Sequence, residues 1–176
     1  MNKKSILIIV LCVLSWTALC QSTNKTVDNN LDSIDKIIST LYSVISGEKG
    51  EARDWTLFKS LFHPDAKLIF TQKNKEGRFI AKYITPDEYI NGSGVWLVEN
   101  GFFEKEIQRE VDTFGSIAQV FSTYESFKTA KDTVPFARGI NSIQLFDDGQ
   151  RWWVINIYWT SESDQNPIPS QYLPNK

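Results

Sequence analysis

Four segments in the C-terminal half of the chain alternate polar and apolar residues, and this alternation limits the possible folds more than any other feature. The segments span residues 102–113, 116–127, 137–146 and 152–160. A period of two predicts β-strands, and the short turns between them, such as Phe114-Gly115, predict that neighbouring strands run antiparallel. We therefore expect an antiparallel sheet to fill this half of the chain.

Helical periodicity marks two segments nearer the start. Apolar residues recur every three or four positions from Leu31 to Ile45, and Gly47 ends this first helix. A second helix is predicted over residues 51–62, because Pro64 disfavours a helical conformation at the residue before it.

A hairpin and a third helix follow. Two strands are predicted at 66–72 and 78–84, with Gly77 supplying the left-handed position of the turn between them. Thr85 is a suitable N-cap for the third helix, and we expect the segment up to Gly101 to finish as a loop. Helices and an antiparallel sheet in this order predict an α+β domain.

The first 20 residues have the pattern of a secretory signal peptide, with two lysines, a short apolar run and a small-residue exit. Cleavage after Cys20 would leave Gln21 as the first mature residue. The alternative is a lipoprotein anchored at Cys20, but Leu19 occupies a position where lipoprotein signals favour a small residue. We expect export to the periplasm or the medium, no membrane attachment after cleavage, and a flexible lead-in over residues 21–30.

Composition excludes several classes of partner. Without Lys3 and Lys4, the 19 basic residues fall to 17 against 21 acidic ones, a net charge of −4 without a basic patch, which argues against nucleic acid. One histidine and no cysteine beyond Cys20 argue against a metal or a disulfide. The chain has no glycine-rich phosphate loop, and we predict no cofactor.

Pairing the last two strands across the turn at 147–151 assigns one face of the sheet to the core. The predicted inner residues of these strands are Gly139, Asn141, Ile143, Leu145, Trp153, Ile155, Ile157 and Trp159. Extending the pairing to the two earlier strands adds Phe103, Lys105, Ile107, Arg109, Val111, Ile117, Gln119, Phe121, Thr123 and Glu125. A one-residue bulge would exchange the two faces of a strand.

This inner face holds more polar side chains than a purely structural core would, since each buried polar group needs a partner or water. An apolar cavity with a few converging polar groups is typical of small-molecule sites. We therefore predict ligand-binding roles for Arg109, Gln119, Asn141, Thr123, Trp153, Trp159 and Tyr42. Arg109 would offer a planar cationic fork to an anionic head group.

His63 and Glu125 are weaker candidates for a catalytic role. Asp65 could orient His63 as a base, although an exposed histidine at the end of a helix is the simpler interpretation. Glu125 could line the pocket or form a structural ion pair with Arg109. Whether the protein is an enzyme stays open at this stage.

Three stretches carry a family resemblance: RDWTLFKSLFHPDAKLI, FGSIAQVFSTYES and RGINSIQLFDDGQRWWVINIYW. They resemble the nuclear transport factor 2-like (SnoaL-like) family, over residues 31–162, which leaves 163–176 as an extended C-terminal tail. The resemblance implies a cone-shaped half-barrel, in which a curved antiparallel sheet carries three N-terminal helices on its concave face. It also implies a pocket between helices and sheet, and a homodimer formed through the outer sheet face.

The same resemblance leaves the function open, because the family includes isomerases, dehydratases, polyketide cyclases and members without known activity. Three hypotheses follow for this chain. It binds a small, partly apolar molecule; it is a small-molecule isomerase, dehydratase or cyclase; or it is a dimeric interaction module with no ligand.

Overall fold

A six-stranded sheet forms the centre of the computed structural model, which describes residues 31–175. Its strands are β1 (Phe62–Lys73), β2 (Phe79–Ile84), β3 (Phe103–Phe114), β4 (Ile117–Phe127), β5 (Ala137–Asp147) and β6 (Trp152–Ser161). Their order across the sheet is β2-β1-β6-β5-β4-β3, and only the β1–β6 pair is parallel. The sheet is curved and does not close, so β2 and β3 are its free edges.

The helical segments are α1 (Ile34–Ile45), α2 (Trp55–Ser60), α3 (Pro86–Tyr89) and α4 (Val95–Asn100). A π-helical turn, Ile90–Gly94, joins α3 directly to α4, and a short 3₁₀ helix, Ser170–Tyr172, lies near the C-terminus. Within residues 31–175, none of these helices has the length and apolar character needed to cross a membrane.

Side-chain caps explain where the helices begin. Ser33 accepts the backbone N–H of Lys36 at the start of α1, and Asp54 caps α2 in the same way. The cap predicted at Thr85 is confirmed, and it belongs to a reciprocal capping box with Glu88.

Several boundaries predicted from the sequence need correction, and α2 begins at Trp55 and not at residue 51. α2 ends at Ser60 and β1 already begins at Phe62, so His63 lies in a strand and not at the end of a helix. The segment before Gly101 is helical to Asn100 and is not a loop. The π-helical turn shifts the phase of the apolar positions there, which hides the helical period in the sequence.

The core lies between the helices and one face of the sheet, here called the inner face. α1 contributes Ile37, Ile38 and Leu41 to it, and the sheet contributes Val120 and Ile143, all of which are buried. The inner face of β4 carries the even-numbered residues Ala118, Val120, Ser122, Tyr124 and Ser126. The sequence pattern had instead predicted that the odd-numbered residues of β4 lie on the inner face.

Register explains this error. The loop before β5 leaves the β4–β5 pairing free to shift by one residue, and such a shift exchanges all side chains between the faces. Ser122 pairs with Asn141, so the inner face of β5 was predicted correctly and that of β4 was not. Irregularities near Ile107 and Ile155 change the face once more along β3 and β6.

Candidate functional site

A cavity of about 280 Å³ lies between the inner face of the sheet and the helices. Most of its lining is apolar or aromatic: Leu41, Ile45, Phe58, Leu68, Trp96, Leu97, Phe102, Phe136, Ala137, Ile157 and Trp159. Its polar lining consists of Tyr42, Tyr89, Ser93, Glu104, Tyr124, Ser126 and Asn141. No lysine or arginine lines the cavity among residues 31–175, so Glu104 is its single ionisable group apart from the tyrosines.

Glu104 lies near the start of β3, where its backbone N–H is held by Ser46 Oγ at 3.1 Å. Glu104 is half-buried and borders the cavity, and the surrounding protein desolvates its carboxyl group. Burial raises the pKa of Glu104 to about 8, and a hydrogen bond from Asn141 partly opposes that rise. Glu104 is therefore mainly protonated at neutral pH and can act as a hydrogen-bond donor.

Tyr42 brings a phenolic hydroxyl from α1 to the sheet. Its hydroxyl lies 2.7 Å from Ser122 Oγ, and Asn141 Nδ2 donates to it at 3.1 Å. Burial, together with the nearby Glu104 carboxyl, raises the pKa of Tyr42 well above its usual range. Tyr42 therefore stays neutral and links β4 and β5 at the edge of the cavity.

Two further tyrosines face Glu104 from other elements. Tyr89 of α3 stacks on Phe58 with 5.3 Å between ring centroids, and burial raises its pKa. Burial raises the pKa of Tyr124, on β4, to about 12. The Tyr124 ring fits because its partner in β5 is Gly139, where a Cβ atom would collide with the phenolic oxygen.

Arg109 lies on the inner face of β3 but outside the cavity lining. Its Nε donates to Glu106 Oε1 at 2.8 Å, and its Nη1 donates to Asp35 Oδ1 at 2.6 Å. Ser122 Oγ donates to the same Glu106 carboxylate. Arg109 is thus occupied by two carboxylates, and the pairing predicted with Glu125 is replaced by one with Glu106.

Two aromatic side chains that line the cavity also reach the surface. Trp96 is 42% exposed and Phe136 is 48% exposed. The Lys128 ammonium lies over both rings, 5.1 Å from the Trp96 centroid and 5.6 Å from that of Phe136. The cavity lining therefore reaches the surface at Trp96 on α4 and at Phe136 in the loop that follows β4.

The structure divides the residues predicted to bind a ligand into two groups. Tyr42, Asn141 and Trp159 border the cavity. The other four, Arg109, Gln119, Thr123 and Trp153, are absent from its lining. The predicted convergence of Arg109, Gln119 and Asn141 therefore does not occur, because β4 and part of β6 present the opposite faces.

The residues on the outer face have other partners. Thr123 Oγ1 donates to the Tyr172 carbonyl at 2.7 Å, and Gln119 is exposed beside the same segment. The Trp153 Nε1–H donates to Asp148 at 2.7 Å. These contacts anchor the C-terminal segment and the β5–β6 turn.

The two candidates for catalysis also lie away from the cavity. Nδ1 of His63 accepts the Asp65 backbone N–H at 3.3 Å, and its ring stands against Trp153 and Phe146. Glu125 lies 3.9 Å from Arg138. Neither side chain reaches the acidic group inside the protein.

Glu104, Tyr89 and Tyr124 are the site residues that sequence reasoning missed. Glu104 lies in a run of alternating charges that indicates a solvated face, and the irregularity near Ile107 reverses that face. No local sequence signal distinguishes Glu104, because its position opposite Ser126 follows only from the β3–β4 register. No group of three or more potential metal ligands occurs within residues 31–175.

Comparisons with known proteins identify the fold. No protein-family model matches the sequence, and no curated protein matches it significantly. A protein of unknown function with a cystatin-like fold from Nostoc punctiforme superposes with a TM-score of 0.56 at 12% identity, over 74% of this chain and 90% of that one. A nuclear transport factor 2-like protein of unknown function from Pseudomonas putida gives 0.56 at 11% identity, over 77% and 90%.

A third structure, provisionally assigned as a scytalone dehydratase from Novosphingobium aromaticivorans, gives a TM-score of 0.55 at 11% identity, over 74% of this chain and 82% of that one. The chain therefore has the nuclear transport factor 2-like fold, as the sequence resemblance predicted. At these sequence identities, the structural similarity establishes the fold but not the activity, which depends on the residues of the site.

Proposed function

We propose that the protein binds a small, uncharged and largely apolar molecule in the cavity that contains Glu104. In this proposal the curved sheet is a cone-shaped half-barrel, and three helices cover its concave side. The observation that carries the proposal is a single carboxyl group, whose pKa desolvation raises to about 8, in a cavity lined mainly by aromatic and aliphatic side chains.

The charge of the lining favours an uncharged ligand. An anionic head group would find no lysine or arginine among the described lining residues and would lie close to Glu104. Burying an unpaired charge costs far more than burying a hydroxyl or carbonyl group. The anionic head group first predicted for Arg109 is therefore replaced by a neutral oxygen that accepts a hydrogen bond from protonated Glu104.

The size of the cavity favours a compact ligand. About 280 Å³ lies near the lower end of the range for small-molecule sites. Trp96 and Trp159 offer flat apolar surfaces on which one or two fused rings can pack. A bicyclic aromatic alcohol or ketone combines this shape with one oxygen.

The experiment uses two matched probes, neutral 2-naphthol and anionic 2-naphthoate, with binding followed by tryptophan fluorescence and calorimetry at pH 7. We expect 2-naphthol to bind at least about tenfold more tightly than 2-naphthoate. Ala137→Phe, which fills the cavity, should abolish binding, while Ala130→Phe on the exposed loop should not. Equal binding of both probes, or full binding by Ala137→Phe, would refute the proposal.

A second candidate function is proton transfer to or from a bound carbonyl compound, as in an isomerase, dehydratase or cyclase. The observation in its favour is the pKa of Glu104, which lies close to physiological pH and so suits a general acid or base. Hydrogen–deuterium exchange next to the carbonyl of 2-tetralone, followed by NMR, tests it. Wild-type protein should accelerate the exchange increasingly as pH rises towards about 8, and Glu104→Gln should not.

We also propose that the chain is exported and cleaved before Gln21, which lies outside the described residues. The charged start and short apolar run support this, and mass spectrometry of the secreted protein should find Gln21 as the first residue and no attached lipid. A homodimer through the outer sheet face is a further proposal, supported by exposed Ile117, Ile155 and Tyr158. An Ile155→Glu variant should then be monomeric in light scattering.

A further inference from the structure

A chain of hydrogen bonds runs from the surface of the protein to the cavity. At its outer end the Glu106 carboxylate accepts hydrogen bonds from Nε and Nη2 of Arg109 and from Oγ of Ser122. At its inner end Tyr42 lies 2.7 Å from Ser122, and Asn141 Nδ2 donates to Tyr42. Asn141 and Glu104 both line the cavity, and hydrogen bonding from Asn141 lowers the pKa of the Glu104 carboxyl group.

Each hydroxyl group in this chain has one proton to donate, and this determines the donor and the acceptor of each hydrogen bond from Glu106 to Asn141. A carboxylate held by a guanidinium group accepts hydrogen bonds and donates none, so Ser122 must donate its only hydroxyl proton to Glu106. Ser122 can then only accept from Tyr42, whose single proton is thereby used. Tyr42 can only accept from Asn141, which must turn its amide nitrogen, and not its oxygen, towards Tyr42.

We propose that the Arg109–Glu106 ion pair sets this direction and thereby holds the Asn141 amide with its N–H groups towards Glu104. Arg109, Glu106 and Ser122 are then positioning residues for the cavity carboxyl. Tyr42 keeps its proton for Ser122 and does not donate to a ligand. This inference deepens the proposed function, because it concerns the same carboxyl group, but it can be tested without a ligand.

The surroundings of Glu104 make its titration a sensitive readout. Tyr42 from α1, Tyr89 from α3 and Tyr124 from β4 face it, and burial keeps all three phenols neutral well above neutral pH. The hydrogen bond from Asn141 favours the charged form of Glu104 and lowers its pKa. Losing the orientation of Asn141 should therefore raise that pKa further.

Ser122→Ala cuts the chain without changing any charge. In NMR titrations with ¹³C-labelled glutamate, assigned with Glu104→Gln, we expect the Glu104 pKa to rise above its wild-type value. A merely structural role for Ser122 predicts the opposite sign, since loosened packing would admit water and lower the pKa. Ser142→Ala, on the neighbouring strand and facing outwards, is the matched control. An unchanged or lowered pKa in Ser122→Ala would overturn the proposal.

Neutron diffraction from deuterated wild-type crystals provides a second test that does not depend on the folding of a variant. The expected map has the Tyr42 deuteron directed at Ser122 and the Ser122 deuteron directed at Glu106. A Tyr42 deuteron directed at Asn141 or into the cavity would overturn the inference. Both tests use protein without ligand, so a failure to bind 2-naphthol would reject the proposed function and leave this inference standing.

Discussion

Glu104 and Glu106 lie two residues apart on β3 and both point to the inner face, yet their surroundings differ. Glu106 accepts three hydrogen bonds, two of them from Arg109. Glu104 has no cationic partner among the described residues that line the cavity, and burial raises its pKa to about 8. One strand therefore presents a paired carboxylate near the surface and an unpaired carboxyl group inside.

This contrast shows how the same side chain takes two roles on one strand. A guanidinium group compensates the negative charge of Glu106, so Glu106 serves as a fixed acceptor. Desolvation without compensation keeps the proton on Glu104, so Glu104 serves as a donor or an acid. Four predictions test the contrast, beginning with the one that has the largest expected effect.

The pH dependence of stability should report the unpaired carboxyl directly. The pKa of Glu104 rises from 4.5 to about 8 on folding, so between these values the native state holds a proton that the unfolded state has lost. Stability should then fall as pH rises through this window, by about 1.4 kcal/mol per pH unit from this group. Glu104→Gln should remove that slope, as measured by urea unfolding at pH 5, 6, 7 and 8.

Glu110→Gln serves as the control, because it makes the same substitution at an exposed position on the same strand. It should leave the slope as in the wild type. An identical slope in Glu104→Gln and the wild type would mean that Glu104 is ionised in the folded protein, and the contrast with Glu106 would disappear.

Removing the Arg109 cation from its ion pair with Glu106 should have the second largest effect on the free energy of unfolding. The side chains of Arg109 and Glu106 are only 17% and 19% exposed. Arg109→Met leaves Glu106 without its partner, and we expect a loss of roughly 3 kcal/mol in unfolding free energy. Arg78→Met breaks a pair whose side chains are 78% and 65% exposed, so its thermal midpoint should hardly change. Equal effects of the two variants would contradict the distinction.

The sequence predicted the four C-terminal strands well, because alternation and turn residues are local signals. It placed Asn141 and Trp159 on the correct face for the same reason. It failed at Glu104 and Tyr124. The faces of these residues depend on an irregularity in β3 and on the β4–β5 register, and the neighbouring sequence predicts neither feature. The fold was therefore predictable from local patterns, whereas the site depended on one-residue shifts between distant strands.

The Tyr42 hydroxyl group links the Glu106 end of the hydrogen-bond chain to Asn141. Its removal gives the third prediction. Tyr42→Phe removes the hydrogen bonds that the Tyr42 hydroxyl group makes with Ser122 and Asn141, which are both buried. We expect a loss of about 1–2 kcal/mol in unfolding free energy, which urea unfolding at pH 7 can measure. Tyr83 is 66% exposed, so the stability of Tyr83→Phe should lie within experimental error of the wild type. A Tyr42→Phe variant as stable as Tyr83→Phe would show that water replaces the hydroxyl without cost.

Asp35 should give the smallest effect, although its contact with Arg109 is a close one at 2.6 Å. The Asp35 side chain is 93% exposed, so water solvates its charge almost fully in the folded and the unfolded protein alike. Distance alone would rank this pair with Arg109–Glu106; burial separates them. Asp35→Asn should leave the thermal midpoint nearly unchanged, and any difference should vanish as salt is raised. A loss of stability comparable to that of Arg109→Met would show that Asp35, and not Glu106, holds the guanidinium group. The Arg109–Glu106 ion pair would then not set the direction of the hydrogen bonds towards Glu104.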